Sequence, residues 1–162
     1  MPDFFHLSGA MLGSGSIIKS GNWGRIVRSW KWQHNAALRE MVLEAARVLR
    51  FPHRPSRLEC AFAFRSLEDA RVFRQFNFNG FGKHILYRVA LCDQNAPSHD
   101  ADTRLLNPLG DLRSDWADAY WMDRDSQLDA IPGLDASLRA APQLPEMLTL
   151  SDLRVEEAIE QP

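Results

Sequence analysis

Apolar and polar positions alternate with a period of two in five stretches of this chain, and recur every three to four residues in two others. Over residues 3–8, Phe4 and His6 fall on one face of an extended segment and Phe5 and Leu7 on the other. Residues 58–64 place Leu58, Cys60, Phe62 and Phe64 on one face, against Glu59, Ala61 and Ala63. Residues 84–92 carry the strongest alternation, with Ile85, Tyr87, Val89 and Leu91 out of phase with Leu86, Arg88, Ala90 and Cys92. Residues 145–149 open another strand, and residues 153–159 a last one with Leu153 and Val155 inward. Helical spacing is clearest over residues 36–50, where Leu38, Met41, Val42, Ala45, Val48 and Leu49 mark the face expected in the core. Asn35 is the expected N-cap, Arg47 and Arg50 suit the C-terminal end of the helix dipole, and Phe51-Pro52 and Arg54-Pro55 stop it. Ser66 with Asp69 three residues on starts a second helix that should bury Leu67, Ala70, Phe73 and Phe76.

The connections are varied. Glycines and serines from Ser8 to Ser16, then Ile17-Ile18, lead into Lys19-Ser20-Gly21-Asn22-Trp23-Gly24-Arg25, which reads as an irregular loop. Residues 77–82 read as a turn, residues 93–105 as a polar loop, and residues 125–143 as a long loop with room for one short helix. Residues 113–122, ending in Tyr120-Trp121, fit neither period. The order strand, helix, strand, helix, strand, irregular, strand, strand lacks the regular alternation of a parallel sheet. An α+β domain with split, mainly antiparallel sheets and flanking helices fits it.

Length adds one constraint: 162 residues suit a single domain over 1–162. A formal net charge of −2 gives no global field toward nucleic acid or an anionic membrane. A local platform for bases remains compatible, with Trp30 and Trp32 beside Arg28 and Lys31, and so does an amphipathic edge strand. Cys60 and Cys92 match neither a zinc nor a redox spacing and read as buried free thiols, and His34, His53 and His84 show no metal spacing. The first residues lack a signal-peptide pattern and no apolar run is long enough to span a bilayer. A cytoplasmic protein, or an effector delivered without a signal, is expected, with no membrane partner.

Four segments carry candidate chemistry. Phe5-His6-Leu7-Ser8 puts a histidine in a strand before a glycine-rich stretch, and Gly21-Asn22-Trp23-Gly24-Arg25 combines amides, an aromatic face and a cation. Pro55-Ser56-Arg57-Leu58-Glu59 leads into a strand, and Pro145-Glu146 starts another with a carboxylate. Together these resemble the ADP-ribosyltransferase superfamily, in particular the rifampicin ADP-ribosyltransferase group. Its aromatic-His-Gly-Thr segment and following glycine turn are similar to Phe5-His6-Leu7-Ser8 and Gly15-Ser16-Ile17-Ile18. Its aromatic strand running into a helix start is similar to Phe62-Ala63-Phe64-Arg65-Ser66-Leu67-Glu68-Asp69-Ala70. Leu86-Tyr87-Arg88-Val89, a loop holding His99, Asp100 and Asp102, and Pro145-Glu146-Met147-Leu148-Thr149 with Leu153-Arg154-Val155 complete the likeness. The chain also looks like an uncharacterised bacterial family of that clan. Leu7 stands where the group has a glycine, and Phe62 where it has a stacking tyrosine.

The resemblance implies an NAD-dependent mono-ADP-ribosyltransferase, with NAD as substrate and an acceptor that is a protein, a nucleic acid or a small molecule. Glycosidic cleavage passes through an oxocarbenium-like state that a carboxylate stabilises. Glu146 is the first candidate for it and Asp102 the alternate, with His6 holding the ribose hydroxyls. Ser8 would assist His6, Arg25 and Arg57 would hold the diphosphate, and Trp23, Phe62 or Tyr87 would stack on nicotinamide. A toxin, phage-defence or drug-modifying role is compatible. Leu7 and Phe62 keep open a non-catalytic binding module on the same fold, and a basic groove at Arg25, Arg28, Lys31 and Arg57 would mark an RNA-modifying member. Each residue also has a plainer role: Arg57 pairing with Glu59 or Glu68, Asp100 and Asp102 solvating a loop, Trp23 anchoring one, and Tyr120-Trp121 filling the core. The transferase reading requires His6, Phe62 and Glu146 to share one cleft.

Overall fold

The alternating stretches pair into two antiparallel sheets in the computed structural model. It describes residues 3–30, 34–106, 114–131, 133 and 136–162, except for the side chains of residues 78, 79 and 138. Strands β1 (Phe4–Ser8), β2 (Ile17–Ile18), β4 (Ile85–Leu91) and β7 (Leu153–Glu160) form a first sheet in the order β1-β4-β7-β2. Strands β3 (Ala61–Ala63), β5 (Ser98–Asp102) and β6 (Pro145–Thr149) form a second in the order β3-β6-β5. Phe5 and Phe64 exchange backbone hydrogen bonds of 2.9 and 2.8 Å, so β1 and the end of β3 meet along a seam. Helices α1 (Asn22–Ser29), α2 (Asn35–Arg50), α3 (Leu67–Phe76), α4 (Phe78–Phe81), α5 (Asp115–Trp121) and α6 (Ala136–Ala140) flank them. The class is therefore α+β with split antiparallel sheets, as the pattern predicts. No helix among the described residues is long and apolar enough to cross a membrane.

The pleat divides the apolar side chains into three buried groups. Phe4, Ile85, Tyr87 and Val89 of the first sheet meet Ala61, Ala63 and Met147 of the second. Phe5, Leu7 and Leu86 point the other way, onto Ala70, Leu67 and Phe73 of α3. The opposite face of the second sheet, through Ala101 and Leu148, meets Leu43 and Ala46 of α2 and Trp116, Tyr120 and Trp121 of α5. The Trp121 indole N–H donates to the Leu43 carbonyl at 2.8 Å, fixing α5 on α2.

Several local expectations are overturned. The stretch from Asn22 is a helix rather than a loop: Gly21, at φ +78°, reverses the chain and α1 starts one residue later. Helix α2 has the expected bounds, but His34 caps it, its Nδ1 accepting from the Ala36 amide at 3.3 Å. More consequentially, α2 buries Ala37, Glu40, Leu43 and Ala46 and leaves the Leu38-to-Leu49 stripe outside. The small side chains of Ala37 and Ala46 let the helix sit close, and Glu40 finds a cation beneath it. Ser66 caps α3 as expected, but Phe76 is exposed at the end of that helix. The polar stretch after residue 93 contains β5, held edgewise on β6, because Gln127 takes the Asp102 amide at 3.0 Å and donates to the Asp100 carbonyl at 3.3 Å. The ambiguous stretch forms α5, part of it lying outside the described residues, as do Lys31 and Trp32. Cys60 is buried and Cys92 exposed, and both are free. Burial pushes the Cys60 thiol up to about 12, which leaves it protonated and unreactive.

Candidate functional site

After α2 the chain turns back beneath the helix. Turn bonds from Glu59 to Ser56 and from Cys60 to Arg57 shorten the expected strand, and tuck Arg57 under α2 before β3 begins. Its guanidinium donates from Nε to Glu40 Oε2 at 2.9 Å and from Nη1 to Glu146 Oε1 at 2.6 Å. Nη1 also donates to the Tyr120 hydroxyl, which in turn donates to Glu146 Oε1 at 2.7 Å. The guanidinium lies 4.9 Å from the Phe62 ring centre and 5.0 Å from that of Tyr120. All four polar members are buried: Glu40 is 1% exposed, Arg57 4%, Tyr120 0% and Glu146 7%.

Electrostatics hold Arg57 and Tyr120 each in one protonation state. Burial opposes the charge of Arg57, but Glu146, Tyr120 and Glu40 outweigh it, and the guanidinium stays protonated. Burial, reinforced by Glu146 against the opposing effect of Arg57, raises the Tyr120 phenol well above its ordinary value. Tyr120 is therefore a neutral hydroxyl that accepts from Arg57 and donates to Glu146. Arg39 Nη2, 3.4 Å from Glu40 Oε1, supplies a second cation, so two arginines face two carboxylates. Arg57 and Tyr120 both use Oε1 of Glu146, and no donor to Oε2 is found among the described residues.

His6 reaches the same strand from the seam. Its Nδ1 lies 2.7 Å from the Phe62 carbonyl, which can only accept, so Nδ1 carries the proton. Burial lowers the pKa of His6 despite that carbonyl, and His84 adds to the lowering. The imidazole is neutral and presents Nε2 as an acceptor. His99 is lowered too, chiefly by burial, while its Nε2–H donates to the Tyr120 carbonyl at 2.8 Å.

These shifts have a consequence for stability. Both histidines titrate below the unfolded value of about 6.5, so the unfolded chain binds more protons in the window beneath it. Stability is fully present above about pH 6.5 and is lost as pH falls through the folded pKa values. The urea midpoint should drop between about pH 7.5 and about pH 5.5, and less so in His99→Gln. An equal drop in that variant would remove His99 as a source.

Of the predicted residues, His6, Phe62, Arg57 and Glu146 form one connected chain of contacts. Arg57 pairs with neither Glu59 nor Glu68; it is buried and engaged by Glu40, Glu146 and Tyr120, so it is not available to a diphosphate. Trp23, in α1, meets Phe62 edge-on at 6.4 Å and Trp30 at 5.3 Å, and its buried Nε1 has no hydrogen-bond partner among the described residues. Arg25 is exposed, its Nη2 donating to Asn22 Oδ1 at 2.7 Å. Ser8 Oγ accepts from the Ala10 amide at 3.1 Å. Tyr87 is not a stacking surface. It is 1% exposed, and its hydroxyl donates to the Ala10 carbonyl at 3.0 Å and accepts from the Leu12 amide at 2.9 Å, pinning the loop after β1. Asp102 is not loop solvation either. It is buried and held by Arg104, with Oδ2 2.6 Å from Nη2, and the pleat sets it on the face of the second sheet opposite Glu146. A cavity of about 290 Å³ opens there, lined by Asp102, Arg104, Arg124, Gln127, Arg139 and Gln143 among others, away from His6 and Phe62.

Glu40 and Tyr120 were missed as members of the cluster. Glu40 sits on what the periodicity marks as the solvent face of α2. The signal that distinguishes it is its phase with Ala37, Leu43 and Ala46, a face of mostly small residues. No curated protein matches the chain. A family model matches residues 8–130, a span that includes Trp23, Glu40, Arg57, Phe62 and Tyr120 but neither His6 nor Glu146. That span covers most of the molecule, and the chain belongs to the family described as protein of unknown function (DUF2441).

Proposed function

We propose that this protein is an NAD-dependent mono-ADP-ribosyltransferase built on an ADP-ribosyltransferase-like fold. The observation that carries the reading is the carboxylate of Glu146. Arg57 and Tyr120 orient it through Oε1 and leave Oε2 unengaged, in the same cluster as the Phe62 ring. An oriented carboxylate oxygen is what an oxocarbenium-like centre requires, because the donors behind it lock its direction before charge develops. His6 supports the reading from the seam, since a neutral imidazole with a free Nε2 accepts a hydrogen bond from a ribose hydroxyl. Trp23 and Phe62 supply the aromatic wall. With Arg57 engaged elsewhere, Arg25 and the amides of the first turn of α1, which no side chain caps, are the donors for the diphosphate.

Nicotinamide release from NAD tests this. Glu146→Gln should lower it about 100- to 1,000-fold while NAD affinity changes little, since the amide oxygen still accepts from Arg57 and Tyr120. His6→Ala should weaken NAD binding as well. The second reading, a non-catalytic binding module, is favoured by one observation: Glu40, Arg57, Tyr120 and Glu146 satisfy one another as a structural cluster. It predicts a folded wild type that fails to bind NAD at millimolar concentration, and that result would overturn the transferase reading.

A further inference from the structure

Helix α2 leaves its most apolar face outside. Met41 is 65% exposed, Leu49 74%, Val48 55%, Leu38 45% and Val42 39%, with Ala45 exposed among them. Leu38, Met41, Ala45 and Val48 follow one another at steps of three, four and three residues, the spacing of a helix–helix seam, and Val42 and Leu49 widen it on one side. We infer that this face is the interface between two copies of the chain, packed α2 on α2 about a twofold axis.

Area points to that occupant. The stripe presents on the order of 500 Å² of apolar surface, at the upper end of the ~300–600 Å² patches of ordinary monomers. Two copies bury about twice that, and the residues around the stripe bring the total into the range of about 1,200–2,000 Å² typical of specific complexes. Ile26, 47% exposed on the neighbouring α1, extends the patch. Charge does not oppose the pairing. Arg39 is held by Glu40, Glu44 by Arg47 and Ser56, and Arg50 by Asp118, so these flanking ions of α2 are already paired within one copy. Ala45, the smallest side chain of the stripe, lies near its middle and lets two helices approach closely. A twofold antiparallel crossing centred there sets Met41 of one copy against Leu49 of the other. A lipid surface fits less well, because Arg39, Arg47 and Arg50 of α2 are paired with Glu40, Glu44 and Asp118 rather than free to meet headgroups.

Sedimentation equilibrium of the full chain decides the matter. The wild type should be a dimer at micromolar concentration, and Met41→Glu and Leu49→Glu should each weaken it at least about 100-fold, since each sets a carboxylate in an apolar seam. Far-UV circular dichroism should be unchanged, the sites being exposed in the single copy. Val48→Lys repeats the test with the opposite charge. In a Cys92→Ser background, Ala45→Cys should form a disulfide-linked dimer on mild oxidation. A wild type that stays monomeric overturns the proposal, and if it then binds phosphatidylcholine vesicles through Met41 and Leu49 the occupant is lipid. A dimer that survives both glutamate substitutions in folded protein overturns it equally.

Discussion

Arg57→Met should destabilise the protein by about 3–5 kcal/mol, because it leaves two buried carboxylates without their shared cation. Glu40 and Glu146 are 1% and 7% exposed, so water cannot replace the guanidinium. The apolar stem of methionine fills much of the volume between Phe62 and Tyr120, which isolates the electrostatic part of the loss. That loss is about a fifth or more of the roughly 5–15 kcal/mol that holds a domain of this kind together. Urea unfolding would read it directly. Arg57→Lys should fall between, since a point charge cannot serve Glu40 from Nε and Glu146 from Nη1 at once. Neutralising the carboxylates together with the arginine, as Glu40→Gln/Arg57→Met/Glu146→Gln, should recover much of the loss. A fall below about 1 kcal/mol for Arg57→Met would mean that the cluster adds little to stability.

Gly24→Ala is the second large effect, and its sign is the informative part. In an open helix, replacing an interior glycine by alanine stabilises by up to about 1 kcal/mol. Here an added Cβ would lie 2.0 Å from the Leu58 carbonyl oxygen and 2.8 Å from its carbon, both backbone atoms. Neither can rotate away, so α1 must move by more than an ångström. That movement would strain the 3.1 Å bond from the Gly21 amide to the Cys60 carbonyl and lift Trp23 from Phe62. Overpacking of this kind costs about 1–3 kcal/mol or more, which outweighs the gain in helix propensity. We expect a net loss of about 2 kcal/mol, together with a change in tryptophan fluorescence from Trp23. A stabilised Gly24→Ala would show that α1 does not rest on the Leu58 backbone.

The local pattern determined a good deal. Alternation over Phe4–Ser8, Ile85–Leu91, Pro145–Thr149 and Leu153–Glu160 marked four strands, and the 3.6-residue period marked α2 to within a residue. Ser66 announced α3. These signals are local: pleat, helical pitch and a capping hydroxyl act within a few residues. The residue types of the candidate site were legible too, as His6, Arg57, Phe62 and Glu146 stand in segments whose composition suits the proposed chemistry. Tertiary structure decided what those residues do. Arg57 lies 17 positions from Glu40 and 89 from Glu146, and nothing in its own segment names either partner. Strand β5 exists because β6 and Gln127 satisfy its edge, not because Ser98–Asp102 carries an apolar rhythm. Helix α2 shows the limit most clearly. Its period identified an apolar stripe, but a stripe only calls for an apolar partner. Which side of the helix meets the sheet was settled by the close fit of Ala37 and Ala46 and the neutralisation of Glu40 by Arg57, contacts that exist only once distant segments have come together.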